Sequence, residues 1–486
     1  AYPALAQSLF QTGQAEEAIA LLESAALVDS PASGDIRHTL VSMLSQCGET
    51  GKLAQLCLRF STGIQDDLLA ARGFAWTDPT GEWLVAALEQ IQDRLAALPP
   101  HCEAQRDAAI HAAVQPPATP EQSAPIHIAF LLGDVVREAR LDRLDALLAH
   151  LPAQDFILTL FCSDKRLEAP LSALEGVSLN FLLFDAILII DRDADKLATF
   201  QYLPEAAPEV LIDLEAYGPE DSPMLLARAP IPHKLLWGET PLPPLLPTCQ
   251  TLAGARLGIE EQFPCASLPG LGEVYDFPEI PFESPDESAV GPAFACLDAA
   301  NRIGDDGWRL FAEALGAHPK ATLLLNLGAL KHEAKDFIRA RFARFGIAPE
   351  RLRFVRAGNS EELCRLWQSV DFGLCPPIDG GGPALPAALW MGKPCLALDS
   401  PLPWSRRAAV LLEAAGAARW IARDAAEYVA LARHLAHEAP RAPDPALRAQ
   451  IKQLGLNDPA SFARGFAEAL RALARGAQTA SPETRP

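Results

Sequence analysis

Asp379-Gly380-Gly381-Gly382-Pro383-Ala384-Leu385-Pro386-Ala387-Ala388-Leu389-Trp390-Met391-Gly392-Lys393-Pro394 is the most informative stretch of this chain. It follows the short apolar run Phe372-Gly373-Leu374-Cys375 and leads into another, Pro394 to Leu398. That order predicts a buried strand, a turn of three glycines, a helix from Ala384 to Met391 and a further strand. Glycines let the backbone take positive φ and let a ligand approach the main chain closely. The helix start adds free N–H groups and the positive end of a dipole. A diphosphate suits such a place. A tight turn that only needs positive φ would look the same, and these residues alone leave both readings open.

The same alternation extends outward in both directions. Upstream lie strand Ala293 to Leu297, helix Asp305 to Leu315, strand Ala321 to Leu327, helix Lys331 to Phe345, strand Leu352 to Val355 and helix Ser360 to Val370. Downstream, helices run to Ala474, and the tail 475–486 reads as disordered. A second series precedes this one, with strands at Ile126 to Leu132, Phe156 to Phe161, Leu179 to Leu183, Ala186 to Ile190, Val210 to Leu214 and Lys234 to Trp237. Helix Ala139 to His150 lies between the first two. Runs that are apolar on both faces and separated by helices describe parallel sheets covered on each side. A Pro-rich, acidic stretch, Ser267 to Pro292, separates the two series. The expected fold class is α/β, with two doubly wound domains whose strand C-termini face a cleft between them.

The first hundred residues differ. Leu5, Leu9, Ala18, Ile19, Leu21 and Leu22 recur at helical spacing around a break at Thr12-Gly13. Leu40, Met43, Leu44, Leu53 and Leu56 repeat the plan around Cys47-Gly48, so the two breaks lie 35 residues apart. That is close to the period of tetratricopeptide helix pairs, which stack into a concave binding surface. A helix from Glu82 to Leu98 follows, then a linker carrying Pro99, Pro100, Pro116, Pro117, Pro120 and Pro125. The expected divisions are a helical domain at 1–98, a linker at 99–125, Rossmann-like domains at 126–285 and 286–474, and the tail.

Composition limits function. Forty-one Lys and Arg against 62 Asp and Glu leave a net charge of −21. Such a surface repels nucleic-acid backbones and anionic lipid, so neither nucleic acid nor a membrane is an expected partner. The ten cysteines form no CxxC pair and no His-flanked metal pattern, so no metal site is expected. Most sit in apolar runs and read as free core thiols of a reducing compartment. No basic segment followed by an apolar run opens the sequence, and the apolar stretches are of strand length. A cytoplasmic location is expected.

The order strand, Gly-rich turn, Ala-Leu-Trp-Met-Gly-Lys-Pro, strand resembles the donor-site segment of the O-GlcNAc transferase and SPINDLY-like family. That family carries tetratricopeptide repeats ahead of a GT-B fold, and the chain is also similar to bacterial adhesin N-glycosyltransferases. Ser405-Arg406-Arg407-Ala408-Ala409 matches the family's Ser-Arg-x-Ala-Ala helix start, and Arg351 to Phe354 matches its Arg-Leu-x-Phe strand. Ala229 to Gly238 resembles the family's Ala-Pro-x-Gln-x-x-Trp-x-Gly stretch, and Leu211 to Gly218 the strand and Tyr-containing turn before it. The resemblance spans roughly residues 126–435.

It implies an inverting, metal-independent glycosyltransferase that needs no cofactor and moves a sugar from a UDP-linked donor to protein side chains. The helical repeats would receive the polypeptide acceptor or a partner protein. The loop holding the nucleotide base falls on Arg356, Gly358 and Ser360, and Arg406 joins the donor site. Gly380, Gly381 and Gly382 form the diphosphate turn, and Arg302 stands where the family places a phosphate-neutralising Lys. An arginine there can hold a diphosphate through two parallel hydrogen bonds; read alone, it is equally a solvated loop residue. The family's Ser-Asp-Phe-x-x-His-Pro loop, which contributes a proposed base, falls on Gly133 to Ala139, leaving Asp134 and Glu138 as carboxylate candidates. Glu138 otherwise reads as a helix-start charge. Glu239, after the Trp237 strand, is an acceptor-side carboxylate, while Lys331 and His332 read as a surface pair at a helix start.

The departures from the family are specific. Gly382-Pro383-Ala384 stands where the family has His-Thr-Thr, and Ala387 where an Asp holds the ribose. These changes motivate a second expectation, a catalytically inactive relative acting as a scaffold or partner of an active transferase. A glycan or lipid transferase of the same fold is a third, but no amphipathic basic helix supports it.

Overall fold

The computed structural model describes residues 2–12, 14–26, 33–61, 64–78, 80–96, 125–131, 144, 146–152, 154–162, 179–183, 208–214, 231–238, 249–257, 259, 264–283, 291–328, 330, 334–357, 359–378, 382–402, 405–438 and 442–474. The chain forms two compact units. One comprises Ala1–Thr62, Leu69–Ala87 and Phe277–Ile451, the other Gly63–Leu68, Leu88–Asp276 and Lys452–Pro486.

The chain begins with helices α1 (Tyr2–Gln11), α2 (Ala15–Ala26), α3 (Ser33–Cys47), α4 (Thr50–Arg59), α5 (Ile64–Thr77) and α6 (Glu82–Ala96). Ala6, Ala18, Ile19 and Leu22 are buried, and Leu40, Met43, Leu44 and Leu53 repeat the pattern one period later. Gly48 and Gly81 both take a left-handed φ of 75°, which glycine adopts without cost and which ends α3 and precedes α6. The break at Gly81 lies 33 residues after that at Gly48, so a third helix pair continues the two legible in the sequence. Asp78 starts α6: its carboxylate accepts the N–H groups of Thr80 (3.1 Å), Trp83 (2.8 Å) and Leu84 (3.2 Å).

A six-stranded parallel sheet occupies the rest of this unit. Its strands are β8 (Ala293–Ala299), β9 (Thr322–Asn326), β10 (Leu352–Val355), β11 (Phe372–Leu374), β12 (Cys395–Leu398) and β13 (Ile421–Ala422), in spatial order β10-β9-β8-β11-β12-β13. The helices between them are α7 (Asp305–Gly316), α8 (Ala334–Ala343), α9 (Ser360–Gln368), α10 (Ala384–Trp390), α11 (Arg407–Ala414) and α12 (Ala425–Glu438). β8 and β11 are buried throughout their middles because helices cover both faces of the sheet. On α7 the buried residues include Trp308, Phe311 and Leu315, while Asp305 and Asp306 open its first turn, where the dipole favours acids. The order reverses between β8 and β11. At such a switch point the flanking connections diverge to opposite faces and leave a crevice at the strand C-termini.

The second unit holds seven parallel strands in the order β3-β2-β1-β4-β5-β6-β7, with its own reversal between β1 and β4. They are β1 (Ile126–Leu131), β2 (Phe156–Cys162), β3 (Leu179–Leu183), β4 (Val210–Asp213), β5 (His233–Leu236), β6 (Cys249–Gly254) and β7 (Cys265–Leu268). Two Rossmann-like sheets after a helical region are thus the architecture, as expected. The strand expected at Ala186 to Ile190 lies outside the described residues.

Beyond α13 (Pro445–Gln453), the last helix, α14 (Pro459–Ala474), serves the first sheet. Phe462 and Phe466 pack on Trp237 with ring centroids 6.1 and 5.2 Å away, and Arg471 pairs with Asp155. The Rossmann-like unit expected to end at residue 285 therefore recruits residues 452–474, which the sequence reading assigns to the domain at 286–474. The physical reason is an apolar face: Phe462, Ala463, Phe466, Ala467 and Leu470 are buried in the core of β1, β2 and β4.

Candidate functional site

Asp298, Arg302, Gly382 and Arg407 lie around the reversal between β8 and β11. Asp298 lies near the C-terminal end of β8, and Arg302 closes the one-turn 3₁₀ helix Ala300–Arg302 that follows it. Gly382 ends the loop after β11, and Arg407 opens α11 after β12. All three charged side chains are buried, with Asp298 7%, Arg302 6% and Arg407 3% exposed.

Gly382 has φ of +88°, a left-handed conformation that side chains other than glycine rarely adopt. A Cβ placed there would lie 3.5 Å from Arg302 Nη1 and 3.7 Å from Asp298 Oδ1. The arginine head and the carboxylate therefore occupy the ground beside this turn where other residues would project a side chain. Arg407 reaches the same residue, with Nη1 and Nη2 each 3.4 Å from the Gly382 carbonyl oxygen. Two guanidinium groups and one carboxylate, all of them buried, thus meet at one turn.

The sequence expectations divide here. Arg302 sits at the turn where the resemblance puts a phosphate-neutralising cation, and it is buried rather than solvated. Arg356 leaves β10 and donates to the carbonyls of Gly328 and Leu330, so its guanidinium shapes the loop after β9. Ser360 is the first residue of α9, capped by the Asn359 side chain accepting the Glu362 N–H at 2.9 Å. Arg406 turns toward Asp399 at 2.9 Å, with Glu413 at 3.8 Å, in an ion-pair group that is about two-fifths exposed. In the Ser405-Arg406-Arg407 run it is Arg407 that points inward; the doubled arginine was its only signal. Gly358, Gly380, Gly381, Asp134, Glu138, Glu239, Lys331 and His332 lie outside the described residues.

Beneath the turn, Cys375 leaves β11. Its thiol is held well above the ordinary value, first by a hydrogen bond with Cys395 and then by burial. It stays protonated at neutral pH and is not a nucleophile. Tyr428 donates its hydroxyl to the Cys375 carbonyl at 3.2 Å and anchors the loop's start. Among the described residues, no three His, Cys, Asp or Glu side chains converge as a metal site.

Comparison with known proteins now bears on the geometry. Residues 285–464 match the family described as glycosyl transferase family 41. The matched segment contains Asp298, Arg302, Gly382 and Arg407. Among solved structures, the chain is similar to a point mutant of the O-GlcNAc transferase of Thermobaculum terrenum, at 18% identity and a TM-score of 0.64. That match covers 98% of this chain and 97% of the other, helical region included, and establishes the GT-B fold. It is also similar to a sucrose-phosphate synthase from Thermosynechococcus elongatus, at 12% identity and a TM-score of 0.48, over 72% of this chain and 99% of that one. No curated protein sequence matches the chain significantly. No helix among the described residues is long and apolar enough to cross a membrane.

The segment that matches this family contains the switch point of the second sheet and the buried Arg302.

Proposed function

We propose that this chain is a glycosyltransferase that moves a sugar from a UDP-linked donor to protein side chains, with inversion and without a metal ion. The observation that carries the reading is Arg302, buried at the β8–β11 switch point with Arg407 beside it, in a segment matched by glycosyl transferase family 41. In an inverting transfer the acceptor nucleophile attacks the anomeric carbon, the bond to the diphosphate breaks, and negative charge develops on the leaving oxygens. A fixed guanidinium beside those oxygens stabilises that charge more in the transition state than in the ground state. Arg302 supplies this in place of a divalent ion. The acceptor's proton passes to a carboxylate, with Asp134 ranked first and Glu138 and Glu239 behind it, or to the departing diphosphate. The helical repeats receive the polypeptide.

The test is calorimetric titration with UDP, GDP and their sugar conjugates, followed by transfer of labelled sugar to a lysate in the presence and absence of EDTA. The reading expects UDP binding and EDTA-insensitive transfer. A second reading, an inactive scaffold, is favoured by one observation: Gly382, Pro383, Ala384 and Ala387 offer no hydroxyl, imidazole or carboxylate to the donor. Nucleotide binding without transfer from any donor decides for the scaffold.

A further inference from the structure

The helical region meets the Arg302 turn directly. Thr50, the first residue of α4, donates its hydroxyl to the Asn301 carbonyl at 2.5 Å, across 251 positions of sequence. That oxygen belongs to the planar peptide unit that also carries the Arg302 N–H. Holding it sets the plane from which Arg302 departs, and the Ile303 N–H closes the same turn on Ala300 at 3.3 Å. Glu49, one residue earlier, is buried and accepts from Arg341, whose guanidinium also lies 3.2 Å from Asp305. Thr77, the last residue of α5, packs on Gly304: a Cβ on Gly304 would sit 3.4 Å from Thr77 Cα. Two successive inter-helix turns, around Glu49–Thr50 and around Thr77, therefore both meet residues 301–305.

We propose that Thr50 is a positioning residue for Arg302, so that the helical region is part of the donor site as well as a platform for an acceptor. The proposal rests on the reading of Arg302 as the cation that faces the donor diphosphate. Glu49 with Arg341 and Thr77 with Gly304 hold the two modules in contact; the Thr50 hydroxyl reaches the peptide unit of Arg302. A donor site built this way loses affinity when the hydroxyl is removed, even though Thr50 touches no substrate.

The experiment compares Thr50→Val, which keeps shape and removes the donor, with Thr50→Ser, which keeps the donor. UDP affinity is measured by calorimetry, and amide hydrogen exchange is followed at residues 300–304 against β9 as an internal control. Thr50→Val is expected to weaken UDP binding about fivefold, the worth of one ordinary hydrogen bond, and to speed exchange at 300–304 with β9 unchanged. Thr50→Ser is expected to restore both. UDP affinity in Thr50→Val equal to that of the parent, or Thr50→Ser as weak as Thr50→Val, overturns the proposal. If the parent binds no UDP, the donor-site reading falls on its own. Exchange then decides the positioning role, and unchanged rates at 300–304 in Thr50→Val refute it.

Discussion

Replacing Arg302 by Met separates the structural from the functional role of the buried charges. Arg302 Nη1 and Asp298 Oδ1 both lie within 4 Å of the point where a Gly382 side chain would begin, and both residues are more than nine-tenths buried. The two atoms are therefore no more than about 7 Å apart, and at an effective dielectric of about 20 their attraction is on the order of 2–3 kcal/mol. Arg302→Met removes it and leaves the Asp298 carboxylate desolvated, with Arg407 the remaining cation at the turn. Losing one partner of such a pair costs about 3 kcal/mol. Asp298→Asn in the same chain removes the stranded charge and should recover most of that loss, because neither neutral group then needs compensation. Affinity behaves differently. A charge-assisted contact to a diphosphate contributes about 2–3 kcal/mol, so both Arg302→Met and the double variant should bind UDP roughly 30- to 150-fold more weakly. Thermal melting and calorimetry on the parent, both single variants and the double variant give the full cycle. Stability unrecovered in the double variant would refute the coupling of the two charges. Parent-like UDP affinity in the double variant would refute Arg302 as the donor cation.

Arg407→Ala should cost about 2 kcal/mol of stability and weaken UDP binding, because its buried guanidinium braces the Gly382 carbonyl; Arg406→Ala, in an exposed pair, should change melting by less than about 0.5 kcal/mol. Equal effects of the two would contradict the assignment of Arg407 as the inward residue. Gly382→Ala should destabilise by about 1–2 kcal/mol through its φ of +88° alone, since the added Cβ meets no atom closer than 3.5 Å; an unchanged melting temperature would show that the turn relaxes. Burial raises the Glu49 carboxyl above its ordinary value of 4.5, against the opposing pull of Arg341 and Lys52. The folded state then holds a proton that the unfolded state has released, so stability should fall as pH rises from 4.5 through the folded value. Glu49→Gln should flatten that slope, and a pH–melting profile identical to the parent's would reject the burial effect.

The sequence by itself determined the local pieces. Strand and helix alternation, the glycine turn after β11, and the two helical repeats around Gly13 and Gly48 are written in periods of two and 3.6 and in turn residues, all within about ten positions. The GT-B architecture was legible through the resemblance of its motifs. Side-chain direction was not. Arg406 and Arg407 are neighbours of one type, and only the packing of α11 sends the second to Gly382 and the first to Asp399. Arg356 donates to two carbonyls of the loop after β9, partners that its own stretch of sequence does not reveal. The helix at α6 was legible, but α5 and its pairing with α6 as a third repeat were hidden, because Thr77 and Asp78 are recognisable as a turn only once Asp78 is seen capping α6. The reach of Thr50 to Asn301 joins residues separated by 251 positions. Contacts of that kind are set by which surfaces meet when the chain collapses, and no local pattern records them.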